Sequence, residues 1–174
     1  MVGMGVIGLG GLGHVMLDAY ADLDDVDVVA GADVSPEARD AFEAAYDAPA
    51  YDDYETLLDE HGDALDAATI VTPHTLHHGQ AMACLEADLD VLLEKPMVTD
   101  TADAVDLVTT AEERDCVLQV GYQRHFHPAF QELRRIVQSG RIGEVHTVSC
   151  YLGQEWIRVQ QGTWRTNPAL SGGG

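Results

Sequence analysis

Three glycines and an aspartate carry the first chemical signal. Gly8-Leu9-Gly10-Gly11-Leu12-Gly13 directly follows an apolar run over 2–7. In that spacing the first glycine permits a tight turn. The second lets the backbone approach a pyrophosphate, and the third lets a helix press closely on a strand. A helix opening there offers unpaired N–H groups and the positive end of its dipole to phosphate. Asp33 follows Gly13 by 20 residues, at the end of a second apolar run. A carboxylate there accepts hydrogen bonds from ribose hydroxyls and repels a 2′-phosphate, so NAD is expected in preference to NADP. Arg39 argues the other way, because it could reach a 2′-phosphate. The nucleotide-hydrolysing pattern G-x-x-x-x-G-K-[S/T] is absent.

Glu94-Lys95-Pro96 carries the second signal, at the end of a short apolar run. A lysine at the carboxyl edge of a parallel sheet can hydrogen-bond a substrate hydroxyl and handle its proton, with Glu94 orienting it or balancing its charge. A surface Lys-Glu pair is the ordinary alternative. Eight of the nine basic residues are arginine, so Lys95 is the only lysine in the chain, and that favours a specific role. His74, His77 and His78 share i, i+3, i+4 spacing, but no cysteine or carboxylate is suitably spaced for zinc. A helix entry beside the cofactor accounts for them more simply. His125 and His127 flank a polar, aromatic connector, where either faces substrate or solvent. Trp156, Trp164 and Arg165 either line a sugar site or pack under further structure, with packing favoured.

The elements that must position these residues alternate. Strands are expected over 2–7, 26–32, 64–71, 91–93 and 116–120. Helices are expected over 12–23, 36–46, 54–60, 76–87 and from Thr99 or Asp100 to 113. The first helix shows its apolar stripe at Leu12, Val15, Met16, Ala19 and Leu23. Such alternation implies βαβ units and a doubly wound, parallel-sheet α/β domain of Rossmann type over residues 1–122. Residues 123–174 read as an incomplete α+β second domain, thin for an independent core. Within it an amphipathic helix is expected over 128–139, with Phe130, Leu133, Ile136 and Val137 on one side. A strand is expected over 144–152, followed by a loop-like remainder.

Composition bounds the function classes. Hydrophobic residues make up 46% of the 174 and charged residues 22%, which supports a packed core. There is no signal-peptide pattern and no apolar stretch that could span a bilayer, so a cytoplasmic protein is expected. The net charge of −21 repels nucleic acid and anionic lipid, so neither is an expected partner. The acids are spread through the folded-looking segments, which suggests a halophilic protein from a high-salt cytoplasm. Cys84, Cys116 and Cys150 read as buried free thiols.

Together these stretches resemble the glucose-fructose oxidoreductase and inositol dehydrogenase family, written Gfo/Idh/MocA. The resemblance runs through 6–13, Thr72-Pro73-His74-Thr75-Leu76-His77, Leu93-Glu94-Lys95-Pro96, Val120-Gly121-Tyr122-Gln123-Arg124, and Trp164-Arg165 through Ser171-Gly172-Gly173-Gly174. It implies an NAD-dependent oxidoreductase acting on a sugar, polyol or related hydroxy compound, with Lys95 as the catalytic lysine at the reacting hydroxyl. It implies a Lys95–Pro96 bond that is often cis in relatives. Thr72, Pro73 and His74 would line the nicotinamide ribose side, His77 matches a frequent family histidine, and Glu94 and Arg124 resemble cofactor-side residues. The implied cofactor-binding set is Gly8, Leu9, Gly10, Gly11, Leu12, Gly13, Asp33, Thr72, Pro73, His74, His77, Glu94, Lys95 and Arg124, with no metal.

Relatives continue past the glycine run into an Asp and a His that complete the acid/base set. They also continue into a largely antiparallel sheet that forms the substrate wall and a homo-oligomer interface. The chain ending at Gly174 therefore reads as truncated, and NAD binding without catalysis stays open beside the enzyme. An S-adenosylmethionine-dependent methyltransferase shares the glycine turn and acid, but Lys95 and Thr72-Pro73 speak against it.

Overall fold

A computed structural model describes residues 1–172, without the side chain of Ile157; Gly173 and Gly174, the end of the expected glycine run, lie outside the described residues. Six parallel strands form one sheet: β1 (Val2–Ile7), β2 (Val26–Ala32), β3 (Ala50–Tyr51), β4 (Ala67–Ile70), β5 (Asp90–Leu93) and β6 (Leu118–Val120). Their order is β3-β2-β1-β4-β5-β6. The chain thus winds outward in both directions from β1, and the crevice between β1 and β4 is the topological switch point, where such sheets bind ligands.

Side-chain alternation along β1 assigns the two faces. Met4 and Val6 pack with Leu17, Tyr20 and Phe42, from α1 (Gly11–Ala21) and α2 (Pro36–Tyr46). Ile7 turns the other way and joins Leu57, Ala81, Leu85 and Leu107. These come from α3 (Tyr54–His61), α4 (His77–Glu86) and α5 (Thr101–Arg114). Local chemistry fixes the helix starts. Ser35 caps α2 by accepting from Ala38 N–H, with proline in the first turn. Asp100 caps α5 by accepting from Ala102 N–H.

Several expectations are corrected. The stripe on α1 is rotated: Gly13, Leu17 and Tyr20 face the sheet, while Val15 and Leu23 are exposed. Contact between Gly13 and the turn sets that rotation, because a Cβ on Gly13 would fall on the Gly8 carbonyl. The fourth strand is shorter than expected, because residues Gly62–Ala64 form a single helical turn before it. The two-residue edge strand β3 carries no periodic signal, and its pairing with β2 defines it.

The larger corrections lie after β6. Helix α6 (Pro128–Gln138) forms as expected, but Phe130, Leu133 and Val137 on its apolar side are exposed. Residues 144–152 form no strand; they are exposed along their length, and no described strand lies beside them to complete a ladder. In place of a loop-like remainder, the chain forms α7 (Trp156–Gln160), a single turn Trp164–Thr166 and α8 (Pro168–Ser171). Of the three cysteines only Cys84 is buried, with its thiol pKa pushed up to about 12 by desolvation; Cys116 is half-buried and Cys150 exposed.

Candidate functional site

Backbone pairing brings the strand ends into one line. Gly8 N–H donates to the Ala32 carbonyl (2.8 Å), Val71 to Ile7 (2.9 Å), Glu94 to Ile70 (2.9 Å) and Gly121 to Leu93 (2.8 Å). The residues that follow β1, β2, β4, β5 and β6 therefore share one edge, and every expected site residue sits in one of those five connections or in the helices they open.

The glycine turn is built as its spacing demands. Gly8 takes φ +98°, which disfavours a side chain, and its missing Cβ faces the Val71 carbonyl at 3.0 Å. Leu9 is buried, and its side chain reaches Gly31. Its N–H is already used, donating to Asp33 Oδ2 at 2.8 Å. Gly10 and Gly11 are different: a Cβ on either meets no atom within 4 Å. The first bond of α1 runs from His14 N–H to the Gly10 carbonyl (3.0 Å), so the Gly11, Leu12 and Gly13 N–H groups have no intrahelical acceptor. An open backbone face beside free helical N–H groups fits a pyrophosphate.

Asp33 braces this turn. Its second carboxylate oxygen accepts from Ser35 N–H (2.8 Å), and Arg39 Nη1 donates to its carbonyl (2.7 Å). Arg39 is thereby held at the end of β2 where a ribose would lie.

On the other side of the crevice, His77 is fully buried. Its Nδ1 lies 2.8 Å from the Pro96 carbonyl and its Nε2 3.0 Å from the Thr72 carbonyl. It ties the β4 connection to the Lys95-Pro96 segment, a brace beneath the crevice rather than a group open to a ligand. Thr72 Oγ1 donates to Gln80 Oε1 (2.5 Å), a buried partner that sequence reasoning missed although Gln80 shares the buried face of α4 with His77. The Lys95–Pro96 bond is cis. Lys95 Nζ stands 3.5 Å from Glu94 Oε1, with the lysine about half exposed and the glutamate 15% exposed. Gly121 makes room for that carboxylate, since a Cβ there would lie 2.6 Å from Glu94 Oε2. Arg124 occupies the short helix Gln123–Phe126 at the same edge and is exposed, apart from this packed group.

His74 meets the end of the chain. Its Nδ1 lies 3.0 Å from the Ser171 carbonyl, and its ring stands edge-on to Trp164 with centroids 4.7 Å apart. Thr75 Oγ1 donates to the Ala169 and Leu170 carbonyls. Burial holds the His74 imidazole below the usual histidine range; the Ser171 contact opposes this, and the His77, Lys95 and Arg165 charges reinforce it. Trp156 is exposed, whereas Trp164 packs. His78 pairs instead with Asp106 at 2.9 Å, so the three histidines diverge. Among the described residues no group of three or more His, Cys, Asp or Glu is placed to hold a metal. His127 caps α6 through Ala129 N–H.

Residues 2–122 match the model of the oxidoreductase family with an NAD-binding Rossmann fold, Gfo/Idh/MocA, and residues 130–174 match its C-terminal domain. The chain belongs to this family. Inositol 2-dehydrogenase of Corynebacterium glutamicum is 33% identical over 148 residues, covering 82% of this chain and 42% of that protein. UDP-N-acetylglucosamine 3-dehydrogenase of Acidithiobacillus ferrooxidans is 35% identical over 131 residues, covering 75% of this chain and 40% of that protein. Among solved structures, the WlbA dehydrogenase of Bordetella pertussis, in complex with NADH and UDP-GlcNAcA, superposes with a TM-score of 0.79 at 29% identity, over 83% of this chain and 45% of that one. This Gfo/Idh/MocA chain thus spans less than half the length of these relatives.

Proposed function

We propose that this chain provides the cofactor half, and Lys95, of an NAD-dependent oxidoreductase acting on a hydroxyl-bearing sugar or polyol. The observation that carries the reading is one sheet edge holding three groups in order. Asp33 ends β2, the open Gly10–Gly11 face ends β1, and Lys95 ends β5. A dinucleotide laid across the switch point would meet ribose, pyrophosphate and nicotinamide positions in that sequence. Nicotinamide, when bound, supplies the hydride acceptor or donor. The chain's own residues bind, orient and hold protons. The free N–H groups of α1 take the pyrophosphate, and Asp33 accepts the ribose hydroxyls and favours NAD. Thr72, Pro73 and His74 line the nicotinamide side, with Glu94 and Arg124 beside it. In carbonyl reduction the Lys95 ammonium gives its proton to the reacting oxygen; in alcohol oxidation the neutral Lys95 amine takes the hydroxyl proton and becomes the ammonium, which Glu94 holds.

The sugar and polyol dehydrogenases among the relatives support this substrate class. We further assign residues 1–122 to the cofactor domain and residues 123–174 to the start of a substrate and oligomerisation domain. We place the protein in a reducing, high-salt cytoplasm on its acidic composition and free thiols. Among the described residues no helix is long and apolar enough to cross a membrane.

The test pairs calorimetry with turnover. Wild type is expected to bind NAD more tightly than NADP and to form NADH with a polyol. Lys95→Met is expected to retain NAD binding and lose turnover. NAD binding without turnover in wild type would leave this chain the binding role alone, and failure to bind NAD would overturn the reading.

A further inference from the structure

His77 faces hydrogen-bond acceptors on both sides. Its Nδ1 lies 2.8 Å from the Pro96 carbonyl oxygen and 3.3 Å from that of Met97, and its Nε2 lies 3.0 Å from that of Thr72. A carbonyl oxygen accepts hydrogen bonds and cannot donate one, whereas a neutral imidazole carries a single N–H. A neutral ring would therefore turn the lone pair of one nitrogen onto the lone pairs of an oxygen. At these distances, and with the ring fully buried, no water stands between them. Among the described residues no other histidine has both ring nitrogens engaged. His61 meets a hydroxyl, His78 a carboxylate and His127 a backbone N–H, each at one nitrogen, and His74 meets the Ser171 carbonyl with Nδ1 alone.

The surroundings pull in both directions. Burial disfavours a charged ring, and so does the positive end of α4, whose first residue is His77. The His74 ring stands 5.7 Å away, Lys95 directly precedes Pro96 and is balanced by Glu94, and His78 on the same helix is turned to Asp106 of α5. Against these costs stand three carbonyl oxygens, and bonds from a charged donor are about twice as strong as neutral ones. A neutral ring would avoid the burial cost but leave a lone-pair clash at Pro96 or Thr72, where no solvent screens it. Gln80, three residues along α4, accepts from the Thr72 hydroxyl. One helix face thus holds both polar groups of Thr72 while His77 also holds the peptide that follows Lys95.

We propose that His77 is a doubly protonated imidazolium that donates from both ring nitrogens and so fixes Lys95 relative to Thr72. It is a positioning residue, acting through the Pro96 and Thr72 carbonyls rather than on a ligand. Its role toward Lys95 rests on the reading of Lys95 and Thr72 as cofactor-side residues; its doubly donating state rests on the three carbonyl contacts alone.

Ring-nitrogen NMR of protein carrying isotope-labelled histidine reads the state directly at neutral pH. His77 is identified by the signals that His77→Gln removes or, if that variant does not fold, by elimination with single variants of the other seven histidines. A proton on both nitrogens is expected; one protonated and one bare nitrogen would overturn the proposal. Positioning is read at Lys95, the only lysine, by amine-selective acylation with the N-terminal amine as internal control. Saturating NAD, verified by calorimetry, is expected to protect Lys95 in wild type. In folded His77→Gln, whose single amide nitrogen cannot donate to both sides, protection is expected to fall about fivefold, the scale of one lost hydrogen bond. Undiminished protection in that variant would overturn the positioning role. Failure of wild type to bind NAD would instead strike the cofactor reading, and NAD that binds without protecting Lys95 would strike the reading of Lys95; the ring state is decided in either case.

Discussion

Leu107 and Leu133 are both leucines on the apolar side of an amphipathic helix. Leu107, on α5, is fully buried against the sheet, whereas Leu133, on α6, is 53% exposed. Amphipathicity states that a helix needs a partner; it does not supply one. In residues 1–122 each apolar face meets a complementary surface on the sheet. In residues 123–172 most contacts are local, such as Thr163 with Gln160 and Arg135 with Glu132, and the segment around Trp164 and α8 is tied to the first region by hydrogen bonds to His74 and Thr75 and by the His74–Trp164 ring pair.

Core truncations should separate the regions most widely. Leu107→Ala is expected to cost about 3 kcal/mol in denaturant unfolding, and Leu133→Ala less than about 0.5 kcal/mol. Comparable losses would mean that α6 is packed in solution. Glycine substitutions give the next largest contrast. Gly13→Ala drives a Cβ into the Gly8 carbonyl and is expected to cost about 2 kcal/mol. Gly140→Ala strains a positive φ, +72°, but meets open space and is expected to cost about 1 kcal/mol.

Salt should act on the whole acidic surface. Screening of the −21 net charge is expected to raise Tm by several degrees between low salt and molar KCl. A falling Tm would contradict the halophilic reading. The smallest effect concerns the seam between the regions. His74 titrates below its ordinary range because burial disfavours the charged ring, so the folded state takes up its proton less readily than the unfolded chain. The associated stability is present above the unfolded value of about 6.5 and lost as pH falls through the folded value. A small drop in Tm below pH 6 that His74→Gln abolishes is the expected result; an identical drop in the variant would assign it to other groups.

What was legible in the sequence follows the same division. The bounds of β1, β2 and α2 were readable, because their apolar runs and the Ser35-Pro36 cap are local signals. That Gly8, Gly10 and Gly13 form a strand-to-helix turn, and that Asp33 and Lys95 each follow a strand, was readable from spacing. The rotation of α1 was not, because contact of Gly13 with the turn overrides its hydrophobic stripe. The bracing role of His77 depends on carbonyls brought in from Pro96, and the room beside Glu94 on a glycine at the end of another strand. The His74–Ser171 contact joins residues 97 apart, beyond any periodicity. The strand expected over 144–152 failed for the complementary reason: alternation without a neighbouring strand does not make a sheet.

The most direct test of the central claim is NAD calorimetry on Gly10→Ala. The backbone of Gly10 has φ −73°, open to any residue, and its Cβ would meet nothing within 4 Å, so the fold should tolerate it within about 1 kcal/mol. The same methyl group would stand where the pyrophosphate must approach. The account predicts an unchanged Tm without ligand and NAD affinity weakened by about tenfold or more. Wild-type affinity in Gly10→Ala would contradict it.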